Sequence, residues 1–223
     1  MSVGVLVFAR MSSQRLPGKA MRDFGGMPLL AWVLRRAQAL AVPVVLATSV
    51  EAEDAALVAC AAALGLSSER GALDDVLGRA LAAAQAQEFS HVLRLCGDRP
   101  YFDLDEAARA LALAREQPSL DLISNRLGGT PAPGLTTEVL STHALAQAHA
   151  RTSDTLDREH LSRYHYAHLE QFRHRALSAS PAWQVRSALA VDSLEDWQRL
   201  QPNPDWSPSV PLATVLERAH VDA

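Results

Sequence analysis

The chain is almost without lysine. Of its 21 basic residues 20 are arginine, and Lys19 stands alone. Basic residues are outnumbered by 25 acidic ones, for a formal net charge of −4. That sign excludes a general affinity for nucleic acid or for an anionic membrane surface, so any anion must be caught by a local cluster. Cysteine is equally scarce: Cys60 and Cys96 lie far apart, without the spacing of a disulfide framework or a thiolate zinc site. Long apolar runs are missing as well. The first, Val3 to Phe8, is too short for a secretory core and has no basic stretch before it. No internal repeat or low-complexity linker interrupts the 223 residues, a length that suits one domain. A soluble, cytoplasmic protein is expected.

What is present alternates. Val3 to Phe8, Pro43 to Thr48 and His91 to Cys96 read as strands buried on both faces, with a shorter one at Asp121 to Ser124. Between them lie helical patterns from Pro28, from Glu51 to Leu64, from about Asp75 to Gln87, and from an Asp103/Glu106 capping pair to about Gln117. Strand and helix in turn predict a doubly wound, mostly parallel α/β sheet over the first two-thirds. Residues 126 to 175 are less regular. A further strand is expected at Arg186 to Val191, then a capped helix after Ser193 and a last short helix.

In such a sheet ligands bind beyond the carboxyl ends of the strands. After the first strand come Arg10, Ser13, Arg15, Lys19 and Arg22, a cationic loop in an acidic chain. It matches neither G-x-x-x-x-G-K-[ST] nor G-x-G-x-x-G. A concentration of positive charge there still predicts a phosphate site. Lysine offers a compact, mobile charge that arginine does not, which singles out Lys19. Asp98 follows the third strand and Asp192 the last, and two carboxylates beside a phosphate loop are ligands suited to Mg2+. Asp192 could equally open a helix, since Ser193 and Asp196 follow it. The histidines at 160, 165, 168 and 174 stand among arginines that would repel a metal, so a surface or interface helix is expected there.

The run from Ala9 through Arg10, Ser13 and Arg15 to Lys19 resembles the nucleotide-binding opening of the cytidylyltransferase family, nearest its spore-coat polysaccharide branch. Further blocks follow in the family's order: Ala47 to Ser49, Asp74 to Leu77 with Arg79, Arg94 to Pro100, Ser124-Asn125, Pro133 to Leu135 with Glu138, Arg158 to His160, and Val191 to Asp196. The resemblance implies a Rossmann-like, glycosyltransferase-A type nucleotidyltransferase domain with Mg2+ as cofactor. It would transfer CMP from CTP to a small anionic acceptor such as a sugar acid, in surface polysaccharide synthesis. By the same resemblance Arg15, Lys19 and Asp98 are catalytic. Ala9, Arg10, Ser13, Arg15, Lys19, Thr48, Asp74 and Asp98 bind the nucleotide. Asn125, Glu138, His160 and Arg163 face the acceptor, Asp98 and Asp192 hold the metal, and a homodimer forms through residues 134 to 172.

Ser12 and Gln14 depart from the family's loop, while Arg99 and Thr136 depart on the acceptor side and leave the acceptor open. Three alternatives stand beside this reading: a nucleotidyltransferase with another nucleotide or a phosphate-bearing acceptor, a glycosyltransferase, and an inactive nucleotide-binding module.

Overall fold

The computed structural model describes residues 2–178 and 188–221. Their strands are β1 (Val3–Phe8), β2 (Val44–Ser49), β3 (Ser67–Gly71), β4 (His91–Cys96), β5 (Leu122–Ser124), β6 (Glu138–Ser141) and β7 (His174–Ala176). They form one sheet in the order β3-β2-β1-β4-β6-β5-β7. β1 pairs in parallel with β2 and β4, β3 with β2, and β7 with β5. β6 alone runs antiparallel, to both β4 and β5.

The period-two alternation of β1 sorts its residues between two cores. Val3, Val5 and Val7 join one apolar cluster with residues of α1 (Leu29–Gln38), α2 (Ala55–Ala63) and α4 (Leu104–Glu116). Leu6 joins another, with α3 (Val76–Ala86) and α5 (Thr142–Arg151). Helices therefore cover both faces of the sheet, as the doubly wound reading expects. Short helices α6 (Thr155–Glu159) and α7 (Arg163–Ala167) extend the second layer, and α8 (Leu194–Arg199) and α9 (Leu212–Val221) follow.

A third cluster ties the end of the chain to the rest. Phe24, Trp32 and Tyr101 pack with Leu189, Val191, Leu200 and Val210. The fully buried Arg36 donates to Phe102 O at 2.9 Å, Pro208 O at 2.7 Å and Val210 O at 2.8 Å. These contacts bring residues 191–193 back to the carboxyl edge of the sheet.

Several expectations need correction. The helix expected from Glu51 begins as a 3-10 turn at Ala52–Asp54 before α2. β3 was missed because its residues, Ser-Ser-Glu-Arg-Gly, are polar, as an edge strand with exposed faces permits. β6 lies inside the segment read as irregular, yet it is an interior strand of the sheet, between β4 and β5, and all four of its residues are buried. Four residues are too few to show a period. Of the strand expected at Arg186 to Val191, residues 186 and 187 lie outside the described residues, and 188–191 form an extended connection outside the sheet. It is held by Leu189 N–H to Pro133 O (2.7 Å) and Val191 N–H to Asp98 O (2.8 Å). The histidine-rich stretch lies only partly at the surface: His160 and His174 are exposed, whereas His165 of α7 is fully buried, its Nε2 donating to Ala144 O at 3.1 Å. No cluster of three or more potential metal-ligating side chains occurs among the described residues. None of their helices is long and apolar enough to cross a membrane.

Candidate active site

Two parallel neighbours build the site. Phe8, the last residue of β1, stands opposite Cys96, the last of β4, so the loops that follow open on the same edge. Gly97 N–H donates to Phe8 O at 2.8 Å and prolongs the pairing. A Cβ on Gly97 would lie 3.0 Å from that of Ala9, so the glycine lets the loops touch and brings Asp98 beside the cationic loop. That loop closes on itself through Met11, whose carbonyl accepts from Ser13 N–H (2.8 Å) and Gly18 N–H (3.2 Å). Gly18, with φ at 68°, turns the chain into a 3-10 turn at Lys19–Met21 that a side-chain-bearing residue would enter only with strain.

Lys19 is the hub. Its ammonium donates to Asp98 Oδ2 at 2.7 Å, Asp192 Oδ1 at 3.0 Å and Val191 O at 2.8 Å. All three of its hydrogens are thus committed. Burial disfavours the charge, but the two aspartates outweigh it and hold the lysine pKa above its ordinary value. Arg15 reaches the other oxygen of Asp192 at 3.1 Å. Asp192 is free to do this because Ser193 and Asp196 make the capping box of α8, so the carboxylate that could have opened the helix lies outside it. The two aspartates and the Val191 carbonyl converge as hard oxygen donors on one cation, a set that fits Mg2+ completed by waters and substrate phosphate.

Above this hub is a cavity of about 500 Å3. Ala9, Arg10, Ser13, Arg15, Lys19 and Asp98, six of the residues that the family resemblance assigns to the nucleotide, line it, and so do Asp192 and His160. Arg10 crosses the mouth toward Glu159, at 3.7 Å. Other expected contacts lie elsewhere. Thr48 is fully buried beneath the loop, and Asp74 is exposed outside the cavity lining. Arg163 is exposed and pairs with Asp154 and Asp157. Asn125 is buried, donating to Glu106 and to Leu135 O (2.8 Å) and accepting from Thr137 N–H (3.1 Å).

Glu138, fully buried on β6, faces Arg94 of β4 in register and pairs with it at 3.0 Å. It also accepts from Tyr166 (2.8 Å) and Ser162 (3.1 Å). Burial pushes its pKa up, but Arg94, the Tyr166 hydroxyl and further arginines outweigh that and keep it below the usual carboxylate value. Glu138 therefore holds Arg94, and Arg94 is the member of the pair that lines the cavity.

Sequence reasoning missed this role of Arg94, and that of Arg79. Arg79 sits 5% exposed over the Phe8 ring, also against the cavity. The signal was available in both cases: each is the one arginine in a mostly apolar element.

The model of the cytidylyltransferase family matches residues 4–201, from β1 through α8, and so spans Lys19, Asp98 and Asp192. The chain belongs to the cytidylyltransferase family. Among its relatives is the spore coat polysaccharide biosynthesis protein SpsF of Bacillus subtilis, 28% identical over 229 residues, covering 96% of this chain and 93% of that protein. The structure of a cytidylyltransferase from Leptospira borgpetersenii superposes over 100% of this chain and 95% of that one, with a TM-score of 0.90 and 26% identity. A CMP:2-keto-3-deoxy-manno-octonic acid synthetase solved with CTP shares the fold, with a TM-score of 0.65 and 17% identity, over 90% of this chain and 97% of that one. As a cytidylyltransferase, the chain carries its cations at the edge of the sheet where this fold receives ligands.

Proposed function

We propose that this cytidylyltransferase transfers CMP from CTP to a small anionic acceptor, a sugar acid or a related compound, and releases pyrophosphate. The observation that carries the reading is the convergence of Arg10, Arg15 and Lys19 with Asp98 and Asp192 on one cavity. The acceptor oxygen attacks the α-phosphorus, the bond to the β-phosphate breaks, and the acceptor proton leaves to water. Such transfer needs positioning and neutralisation of charge more than covalent help.

Arg10 and Arg15, at the rim, draw in the triphosphate. Lys19 exchanges its aspartates for phosphate oxygens and follows the charge onto the departing pyrophosphate. Asp98 and Asp192 would hold Mg2+, which when bound neutralises the phosphates and lowers the pKa of the attacking oxygen. Arg94 and His160 face the acceptor, while Glu138 and Asn125 act from beneath by fixing Arg94 and the 135–137 backbone. The kinship with the spore coat polysaccharide biosynthesis protein SpsF supports a contribution to surface polysaccharide synthesis. A homodimer through residues 134 to 172 would use the exposed faces of α6 and α7, where Leu156 is 49% exposed. Light scattering at working concentration tests it.

The reaction is tested by pyrophosphate release, with CTP, UTP, ATP and GTP compared across a panel of 2-keto sugar acids and sugar phosphates. Turnover with CTP and a sugar acid is expected. Pyrophosphate release only with another nucleotide would refute the base assignment. Transfer from a nucleotide sugar without pyrophosphate would refute the reaction.

A further inference from the structure

Asp54 takes no part in the chemistry above, yet it is 2% exposed and ionisable. A buried carboxylate is expensive unless its oxygens are satisfied. Asp54 accepts four donors: Met11 N–H at 2.7 Å, Thr48 Oγ1–H at 3.0 Å, Ser49 N–H at 3.1 Å and Ser49 Oγ–H at 2.5 Å. Three come from the end of β2 and anchor the carboxylate to the sheet. The fourth comes from the cationic loop. Thr48 Oγ1 also lies 2.9 Å from Ala9 O, so its single hydrogen is shared between the loop and Asp54.

The loop is thereby pinned on either side of Arg10, at Ala9 and at Met11. The Met11 peptide carries the restraint further, because its carbonyl takes Ser13 N–H and Gly18 N–H, the residue before Lys19. A peptide bonded at both ends is polarised at both, which strengthens each bond.

We propose that Asp54 is a positioning residue that holds the 9–19 loop in the shape that receives a triphosphate, so that Arg10 and Lys19 are placed before the ligand arrives. A negative charge beneath an anion site works against binding by simple electrostatics. Its presence there is explained by the rigidity it confers on groups whose placement decides affinity. Burial works against the charge, but the donors from Ser49, Met11 and Thr48 outweigh it and keep the carboxyl ionised well into acid. The inference rests on reading this loop as the phosphate site.

The test is calorimetric titration of the full chain with inorganic tripolyphosphate, well below the melting temperature of every variant, alongside steady-state kinetics with CTP. Asp54→Asn is expected to bind tripolyphosphate about tenfold more weakly, the factor one charge-assisted hydrogen bond is worth. KM for CTP should rise in parallel, with kcat within about threefold of wild type. Asp121→Asn, at a buried aspartate bonded to Ser141 and Arg173 away from the loop, controls for general loss of stability and should leave tripolyphosphate binding unchanged. Binding by Asp54→Asn within about twofold of wild type, or a loss no greater than that of Asp121→Asn, overturns the proposal. Should Asp54→Asn not fold, Thr48→Val decides, and unchanged binding there overturns it. If wild type binds tripolyphosphate but turns over no CTP, the functional reading fails while the positioning role stands.

Discussion

Replacing Lys19 by methionine keeps the length of the side chain and removes the one cation held between Asp98 and Asp192. The Lys19 side chain is 13% exposed and its ammonium pairs with two carboxylates, at 2.7 and 3.0 Å. Each such bond stabilises a fold by about 1.5–3 kcal/mol. The Asp192 side chain is 37% exposed, so its share is discounted for solvent screening. A loss of about 2–3 kcal/mol is expected, or about 5–10 °C in Tm for a chain of this size. The two carboxylates are then left facing each other with the buried counter-charge gone and the exposed Arg15 still beside Asp192.

A divalent cation should fill the gap. At a concentration about ten times its Kd it stabilises the folded state by about 1.4 kcal/mol. Differential scanning fluorimetry of wild type and Lys19→Met, with and without Mg2+ or Mn2+ and without nucleotide, reads both effects. Lys19→Met should regain several degrees with metal and wild type much less, because in wild type the metal must displace the ammonium. Asp98→Asn in the Lys19→Met background should abolish the gain. A Tm within about a degree of wild type, or an equal response of both proteins to metal, would refute the reasoning.

Other outcomes follow from the same geometry. Asp98→Ala and Asp192→Ala are each expected to reduce turnover by about a hundredfold or more, with CTP binding less affected; activity within a few-fold of wild type would remove the assigned role. Arg94→Met should raise KM for the acceptor and leave KM for CTP nearly unchanged, which initial-rate kinetics in both substrates checks. Glu138→Leu leaves Arg94 without its buried partner and is expected to cost about 3–5 kcal/mol, measured by urea denaturation. His165 is held neutral, its pKa lowered by burial from the ordinary 6.5. Its contribution to stability is therefore complete above pH 6.5 and lost as pH falls toward the folded value. Glu138, lowered from 4.5, contributes fully above that pH and is lost only as pH falls through its lower folded value. Melts between pH 7.5 and 5 should therefore slope downward in wild type and flatten in His165→Phe.

The long alternating elements were legible because they carry their own signals. β1, β2 and β4 are runs of apolar residues buried on both faces, and α4 opens at Asp103, which caps it as expected, accepting from Asp105 and Glu106 N–H. The cationic loop with its single lysine could also be picked out, since its composition contrasts with an acidic chain, and so could the carboxylates at 98 and 192, since each follows an expected strand. β6 and β7 could not: four and three residues hold no measurable period, and their place in the sheet depends on partners far along the chain. Glu138 was read as a contact for the acceptor, but sequence cannot show that a charged residue sits at 0% exposure opposite an arginine in register.

By itself, then, the sequence determined the α/β class, the family, and which residue types gather after β1 and β4. Local propensity and hydrophobic period suffice for that, because they depend on near neighbours. Only the tertiary structure decided which of those residues meet. Lys19 and Asp192 are 173 positions apart, and they touch because the buried Arg36 and the Trp32–Tyr101 cluster carry the chain end back across the sheet. Asp54 falls inside the helical pattern that starts at Glu51, and nothing in its spacing shows that the fold lays Met11, 43 positions away, against it. Long-range hydrogen bonds of this kind leave no trace in spacing, since they follow from burial and from the need of every buried polar group for a partner.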